Sequence, residues 1–279
     1  METDKELEEW RKSAPYWDKY SQTIRTMFAP VTEALIEEAG IRRGQQVLDV
    51  AGGAGEPSLT IAEVVGPSGS VTFTDAIAGM VSAAERQAKK RNLNNLTFRQ
   101  CLADSLPFDD ESFDAVVCRF GVMFFPNPLA ALREMLRVTK AQSRVSLAVW
   151  GDSKANPFSY VITDVVARYV QATPSVVAAH DAFCFSEPGK LAGILTEAGA
   201  KNIRERAFKF HIAAPISTAE FWEVRSAYSG TLREKLATLS VEKRNELSHA
   251  IQEAVMPFFT DNKMSFPAEM LVVSGENEG

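Results

Sequence analysis

The stretch that decides the fold runs from Gln46 to Pro57 and reads QVLDVAGGAGEP. It begins with a short apolar run, which predicts a buried strand. Gly52, Gly53 and Gly55 then form a turn in which the main chain can approach a ligand closely. Pro57 suits the first turn of a helix, and a helix N-terminus attracts polar ligand groups. The stretch therefore predicts a strand, a ligand-binding glycine turn and a helix.

A carboxylate stands inside this predicted strand. Asp49 precedes the glycines by three residues, and an unpaired carboxylate at a buried strand end would be costly. We expect Asp49 either to hold the glycine turn in place or to bind a cationic group of the ligand.

Three classes of glycine turn can follow a strand in this way. A phosphate-binding P-loop requires lysine and then serine or threonine directly after its last glycine. Here Glu56 and Pro57 follow Gly55 instead. A dinucleotide-binding turn fits Gly53 and Gly55 but has Ser58 in place of its third glycine. The third class is the turn of class I S-adenosylmethionine (SAM) methyltransferases, which the segment Asp49–Gly55 resembles. It is most similar to the variant in the UbiE type of quinone-biosynthesis C-methyltransferases.

A second strand supports the same resemblance. Residues 71–74 predict a strand that ends at Asp75. An acidic residue about 20 positions past a glycine turn is placed to accept hydrogen bonds from ribose hydroxyls. The family continues with the pattern Asp-x-x-x-x-Met, which Asp75, Ile77 and Met80 match.

Two further segments complete the resemblance in the expected order. Residues 103–108 (ADSLPF) resemble the family's loop beside adenine, and residues 112–121 (SFDAVVCRFG) resemble its fourth strand and the exit from that strand. Together the four segments cover roughly residues 44–150.

The resemblance implies a small-molecule methyltransferase that uses SAM, releases S-adenosylhomocysteine and needs no metal. Asp49 would act near the methionine amino group, Asp75 would hold the ribose, and Ile77 and Met80 would pack on adenine. Arg119 would border the methionine and the acceptor, or else form a structural ion pair with a loop carboxylate. The expected cofactor-binding residues are Asp49, Ala51, Gly52, Gly53, Gly55, Asp75, Ala76, Ile77, Met80, Ala103, Asp104, Ser105, Arg119 and Phe120.

Two positions depart from the family pattern. Leu102 replaces the acidic residue that usually accepts from the adenine amino group, so Asp104 or a main-chain carbonyl would have to substitute. Residues 140–143 (KAQS) replace a Lys-Pro-Gly-Gly turn on the side of the sheet away from the site.

Strands and helices alternate through the middle of the chain, which predicts an α/β fold. We expect a Rossmann-like class I methyltransferase fold with a mostly parallel seven-stranded sheet flanked by helices. Ligands bind such sheets at the carboxyl ends of strands, where Asp49, Asp75, Ala103 and Arg119 lie. The predicted strands are 47–50, 71–74, 96–100, 114–119 and 144–150, and the predicted helices are 57–65, 78–91 and 128–138.

The first part of the chain predicts a helical arm. Residues 5–39 carry apolar and aromatic side chains at helical spacing, and Pro15 and Pro30 should break them into two or three pieces. These aromatic residues would dock on the sheet or cover the SAM methionine. Tyr20 is the candidate in this arm for contact with cofactor or substrate.

The remainder predicts insertions grafted onto one domain. That domain comprises the arm at 1–43, the SAM-binding core at 44–150, and helical cap insertions at 151–185 and 217–260. His180 is a candidate base in the first insertion. The apolar stripe from Phe221 to Leu232 predicts either cap core or a dimer face. Other expected elements are a helix at 160–170, a helix from Ser186 to Ala198 ending at Gly199, and strands at 203–212 and 271–274.

Composition limits the partners. A net charge of -6 gives no electrostatic footprint for nucleic acid. No run approaches the roughly 18 apolar residues of a membrane span, and the acidic N-terminus does not predict a signal peptide. Three cysteines without metal-ligand spacing favour reduced thiols in the cytoplasm. The expected partner is a small, partly apolar acceptor, and a homodimer is one open assembly.

Two alternatives remain from the sequence. Leu102 leaves open a SAM-binding protein without catalysis. An NAD(P)-dependent oxidoreductase is the other, disfavoured by Ser58. The accepting atom, whether carbon, nitrogen, oxygen or sulfur, is also undetermined.

Overall fold

One twisted sheet organises the chain, and the computed structural model describes residues 2–170 and 181–279. The sheet order is β3-β2-β1-β4-β5-β8-β6, with the two-residue β7 paired to β8. Its strands are β1 (Gln46–Val50), β2 (Ser70–Asp75), β3 (Leu96–Gln100), β4 (Phe113–Arg119), β5 (Thr139–Trp150), β6 (Lys201–Ala214), β7 (Phe259–Thr260) and β8 (Lys263–Glu276).

Helices cover both faces of this sheet. They are α1 (Glu2–Lys19), α2 (Ser21–Glu38), α3 (Ser58–Val65), α4 (Ala78–Lys90), α5 (Pro128–Val138), α6 (Pro157–Tyr169), α7 (Lys190–Ala198), α8 (Thr218–Tyr228), α9 (Gly230–Ala237) and α10 (Val241–Val255). The predicted α/β fold with a mostly parallel sheet is confirmed.

The central strand β1 places the site at the middle of the sheet. It pairs in parallel with β2 on one side and β4 on the other. Val47 packs in the apolar layer that includes α3, whereas Leu48 and Val50 pack in the opposite layer with α5. Because side chains alternate along a strand, Asp49 faces the same side as Val47, toward α3.

The far edge of the sheet is antiparallel. β8 runs antiparallel to both β5 and β6. β5 begins at Thr139, five residues before the predicted start at 144, and takes in the segment 140–143. Gln142 there has a positive φ of 62°, and its N–H donates to the carbonyl of Asn277 at 2.7 Å. Without the family's proline and glycines, this segment continues the strand instead of ending it.

The N-terminal arm forms two helices that do not break at the prolines. Pro15 and Pro30 both lie inside helices, and the chain breaks at Tyr20 instead. The prediction was wrong because packing outweighs the lost hydrogen bond: Phe28, Val31 and Leu35 of α2 are almost fully buried.

The cap helices share one apolar core with α2 and with strands β5, β6 and β8. Phe221, Trp222 and Leu232 are buried in it, and Val224 is buried as well, so the apolar stripe is core and not a dimer face. The helix predicted from Ser186 begins only at Lys190, after Gly189 in a left-handed conformation (φ 84°). The division into arm, core and cap insertions stays a prediction. Within the part of the chain that the structure describes, no helix is long and apolar enough to cross a bilayer.

Candidate functional site

The glycine turn lies between the end of β1 and the start of α3. Its main chain is tightly wound, with left-handed φ angles at Ala51 (60°), Gly53 (58°) and Gly55 (119°). The N–H of Gly52 donates to the carbonyl of Thr74 at 3.0 Å, which ties the turn to β2. The turn therefore sits at the carboxyl edge of the sheet, where ligands bind in this class of fold.

The three glycines face different surroundings. A Cβ on Gly52 would lie 2.5 Å from the Phe73 ring and 2.6 Å from an Asp49 carboxylate oxygen. A Cβ on Gly55 would lie 2.8 Å from Leu59. A Cβ on Gly53 would meet nothing within 4 Å. Gly52 and Gly55 are thus required for packing, and Gly53 presents its main chain to open space.

Asp49 holds the turn to the first turn of α3. Its side chain is fully buried, and Oδ2 accepts from the N–H and the hydroxyl of Ser58 at 3.1 and 2.6 Å. Because Pro57 at the N-cap offers no capping side chain, the Asp49 carboxylate satisfies a donor that α3 leaves open. Oδ1 is buried and has no hydrogen-bond partner among the described residues.

This arrangement shows the structural one of the two roles expected for Asp49. The carboxylate holds the glycine turn, and a direct or water-mediated contact with a ligand amino group stays a prediction. Burial raises the pKa of Asp49 to about 7, because water no longer solvates its charge. The sequence did not predict the role of Ser58, which is a hydrogen-bond donor to Asp49 and not the N-cap of α3.

Asp75 links the turn to α4. One carboxylate oxygen accepts from the Gly53 N–H at 3.0 Å and the other from the Ile77 N–H at 2.9 Å. Burial raises the pKa of Asp75 to about 6, while these main-chain donors act in the opposite direction. Asp75 therefore lies beside the open face of Gly53, and its role toward ribose stays a prediction.

The apolar positions after Asp75 lie beneath the arm. Ile77 and Met80 are buried against Ala14 of α1, and half-buried Ala76, Leu7, Trp10 and Trp17 pack around them. A Cβ on Gly79 would come within 3.0 Å of Ala14. The arm thus covers the side of the site on which the sequence predicts adenine.

The loop after β3 borders the same region. The Cys101 N–H donates to the main-chain carbonyl of Asp75 at 3.1 Å, which places the predicted adenine loop beside that residue. Ala103 is half-buried, whereas Asp104 and Ser105 are exposed. Leu102 is 46% exposed, so the leucine that replaces the family's acidic residue does not serve the core.

Arg119 joins the glycine turn to α2. Its buried guanidinium donates to the Glu56 carbonyl at 3.1 Å and to the Thr32 hydroxyl at 2.8 Å. Burial lowers its pKa, partly offset by the nearby carboxylates of Glu56 and Asp49. The alternative for Arg119, an ion pair with a loop carboxylate, does not form among the described residues, and the Glu56 carboxylate lies 2.7 Å from Arg91 instead. Contact between Arg119 and a cofactor stays a prediction.

Phe120 begins an aromatic wall at the end of β4. Its ring stacks on Trp150 with centroids 5.1 Å apart and meets Phe28 edge-on at 5.3 Å. Trp150 in turn lies 5.9 Å from Phe183. These rings place an apolar surface directly after Arg119, where the sequence predicts the acceptor.

Of the two candidate catalytic residues, the structure describes Tyr20 but not His180. The Tyr20 hydroxyl donates to Glu223 at 2.6 Å and accepts from Lys19 at 2.8 Å, which links the arm to α8. Burial and the Glu223 carboxylate raise its pKa, so Tyr20 is poorly suited to act as a base. Its contact with cofactor or substrate stays a prediction. His180 lies outside the described residues.

The glycine surroundings give a prediction about stability. Gly52→Ala should cost roughly 3 kcal/mol, because its Cβ would overlap Phe73 and Asp49. Gly53→Ala is the matched control and should cost only about 1 kcal/mol, for its left-handed φ of 58°. Urea unfolding measures the free energy of unfolding of both variants. Equal losses would contradict the conclusion that Gly52 is packed and Gly53 is open.

Asp49 gives a prediction about pH. Its pKa is about 7 in the folded chain, against about 3.9 in an unfolded chain. The folded state therefore binds the proton more tightly, so the stabilisation from Asp49 is complete below about pH 4 and is lost as pH rises through about 7. Asp49→Asn keeps the shape but cannot titrate. The unfolding free energy of the native protein minus that of the variant should fall between these pH values in urea titrations, and a constant difference would exclude the assignment.

Comparisons with known proteins agree with this geometry. Residues 29–216 match the family described as the ubiE/COQ5 methyltransferase family. The ubiquinone/menaquinone biosynthesis C-methyltransferase UbiE of Cellvibrio japonicus is 40% identical over 111 residues, which cover 39% of this chain and 45% of that protein. The chain thus spans about half the length of the first curated relatives it matches.

A longer match comes from Staphylococcus aureus. Its demethylmenaquinone methyltransferase is 30% identical over 190 residues, which cover 64% of this chain and 78% of that enzyme. Among solved structures, a methyltransferase of unproven activity from Bacillus halodurans aligns with 89% of this chain and 99% of its own, with a TM-score of 0.57 and 22% identity. That likeness shows the shared fold, and the sequence matches show that the chain belongs to the ubiE/COQ5 methyltransferase family.

Proposed function

We propose that the chain is a SAM-dependent methyltransferase that acts on a small, partly apolar acceptor. The observation that carries the proposal is the open face of Gly53 beside the Asp75 carboxylate. Main chain without a side chain can lie against the cofactor, and a buried carboxylate next to it can accept from ribose hydroxyls. Membership of the ubiE/COQ5 methyltransferase family supports the same reading.

The proposed cofactor fits the residues present. Asp75 would hold the ribose, and Ile77, Met80 and Ala103 would pack around adenine. The unpartnered Oδ1 of Asp49 is a buried acceptor suited to the methionine ammonium, directly or through water. When bound, SAM would supply a methyl group on a positively charged sulfonium. The thioether S-adenosylhomocysteine is then a good leaving group.

The chain's own contribution to the reaction is positioning and exclusion of water. Holding two reactants in line can supply much of the acceleration of a displacement. The arm closes over Ile77 and Met80, and the aromatic wall at Phe120, Trp150 and Phe28 keeps the acceptor side apolar. We include no metal in the proposal; the described residues hold no group of three metal-ligating side chains.

The acceptor is proposed only by class. Relatives in this family carry names of quinone C-methyltransferases, and an apolar wall at the end of β4 suits a ring-bearing acceptor. Carbon, nitrogen, oxygen and sulfur acceptors all remain within the proposal. We place the protein in the cytoplasm because its cysteines are free thiols, and we propose no nucleic acid partner.

One observation supports a second candidate, a SAM-binding protein without catalysis. Leu102 is exposed where the family has an acceptor for adenine, so cofactor affinity depends on other groups of this loop. SAM binding without turnover on a broad acceptor panel would favour this candidate over the enzyme.

Calorimetric titration with SAM tests the cofactor assignment. Asp75→Ala should weaken binding roughly 10- to 100-fold, because it removes charge-assisted hydrogen bonds worth about 1.5–3 kcal/mol. Gly53→Val should abolish binding, because a branched side chain would fill the open face that the cofactor needs.

The matched control is Asp109→Ala, which removes an exposed carboxylate of the same net charge. It should leave the affinity for SAM unchanged. Normal binding by folded Gly53→Val would show that the glycine turn is not the cofactor site, and unchanged affinity in Asp75→Ala would remove the ribose assignment.

A further inference from the structure

The inward face of α8 carries a cation between aromatic rings. The guanidinium carbon of Arg225 lies 4.4 Å from the ring centroid of Phe158 and 5.1 Å from that of Tyr228. One of its terminal nitrogens donates to the Tyr228 hydroxyl, which fixes the plane of the guanidinium. Its contacts among the described residues are to these two rings and to the Tyr228 hydroxyl, with no carboxylate in an ion pair. Its charge is therefore held by ring faces and lacks a counter-ion there.

Two buried donors without acceptors flank Tyr228. Nε of Arg225 and Nε1 of Trp17 are both buried, and neither has a hydrogen-bond partner among the described residues. The Trp17 ring meets the Tyr228 ring edge-on, with centroids 5.4 Å apart. Buried N–H groups are nearly always paired, so two unpaired donors beside one ring are unusual.

Contacts of Trp17 and Phe158 connect this group to the proposed methyltransferase site. Trp17 packs both against Ile77 and Met80, on the proposed adenine side, and against the shared apolar core that contains Phe158. The ring centroids of Phe158 and Phe28 are 6.2 Å apart, and Phe28 contacts Phe120 in the aromatic wall at the end of β4. Trp17 therefore stands between the proposed cofactor site and the cap, and Arg225 lies on the cap side of Tyr228.

We propose that Arg225 and Trp17 bind an anionic oxygen group, a carboxylate or a phosphate, on an acceptor with an aromatic or otherwise apolar body. The inference rests on the proposed function, because it names the class of molecule taken by the methyltransferase site. The planar guanidinium presents parallel N–H donors to such a group, and the indole adds one more. The surrounding rings then receive the apolar body of the acceptor.

The test uses matched anionic and neutral probes with the full chain saturated with S-adenosylhomocysteine. One pair is 4-phenylbenzoate and 4-phenylbenzamide, and the other is phenyl phosphate and phenol. The native protein should bind at least one anion about tenfold or more tightly than its neutral partner, as charge-assisted hydrogen bonds require. The pair that shows the preference distinguishes a carboxylate from a phosphate ligand.

Variants assign the preference to these residues. Arg225→Met should remove it, and Trp17→Phe, which keeps a ring but deletes the donor, should reduce it by a smaller factor. Arg233→Met is the control, because that arginine also lies over a tyrosine ring but donates to Ser13 and to the Ala227 carbonyl. It removes the same charge and should retain the preference. Trp17→Phe keeps the test decisive if Arg225→Met fails to fold.

The outcomes separate this inference from the proposed function. Binding of S-adenosylhomocysteine with no preference for either anion would overturn the inference alone. A preference that survives in both Arg225→Met and Trp17→Phe would also overturn it. Failure of the folded native protein to bind S-adenosylhomocysteine would overturn the proposed function and this inference with it.

Discussion

The buried hydrogen bonds between Asp49 and Ser58 are the interaction on which the rest of the site depends. They join the end of β1 to the start of α3 and so fix both ends of the glycine turn. They also explain why Gly52 must lack a side chain, since a Cβ there would lie 2.6 Å from the Asp49 carboxylate. A charged group in such a place is expensive, and the raised pKa of about 7 reflects that cost.

Polar links extend from this anchor to each neighbouring part of the chain. Asp75 connects the turn to α4, and Arg119 connects it to α2 through the Glu56 carbonyl and Thr32. The arm is joined in turn to α4, where Arg86 lies 2.7 Å from Asp18. These links therefore hold the glycine turn, α4 and the arm together.

Local patterns predicted much of this from the sequence. The apolar run before Asp49, the glycines after it and the alternation of strands with helices predicted the sheet and the glycine turn at its carboxyl edge, because each depends on neighbouring residues. Contacts between distant residues were not predictable in this way. The Tyr20–Glu223 hydrogen bond joins residues 203 positions apart, and the helical Pro30 is tolerated because of packing that no local pattern contains.

The most direct test of the central claim, that the glycine turn binds an adenosyl sulfur compound, is thermal unfolding with added SAM, S-adenosylhomocysteine, NAD and NADP. A ligand that binds only the native state must raise the melting temperature, by roughly 5 °C or more at a hundredfold excess over its Kd. We expect such a shift with the two adenosyl sulfur compounds and none with the dinucleotides. A shift with a dinucleotide alone would contradict the claim.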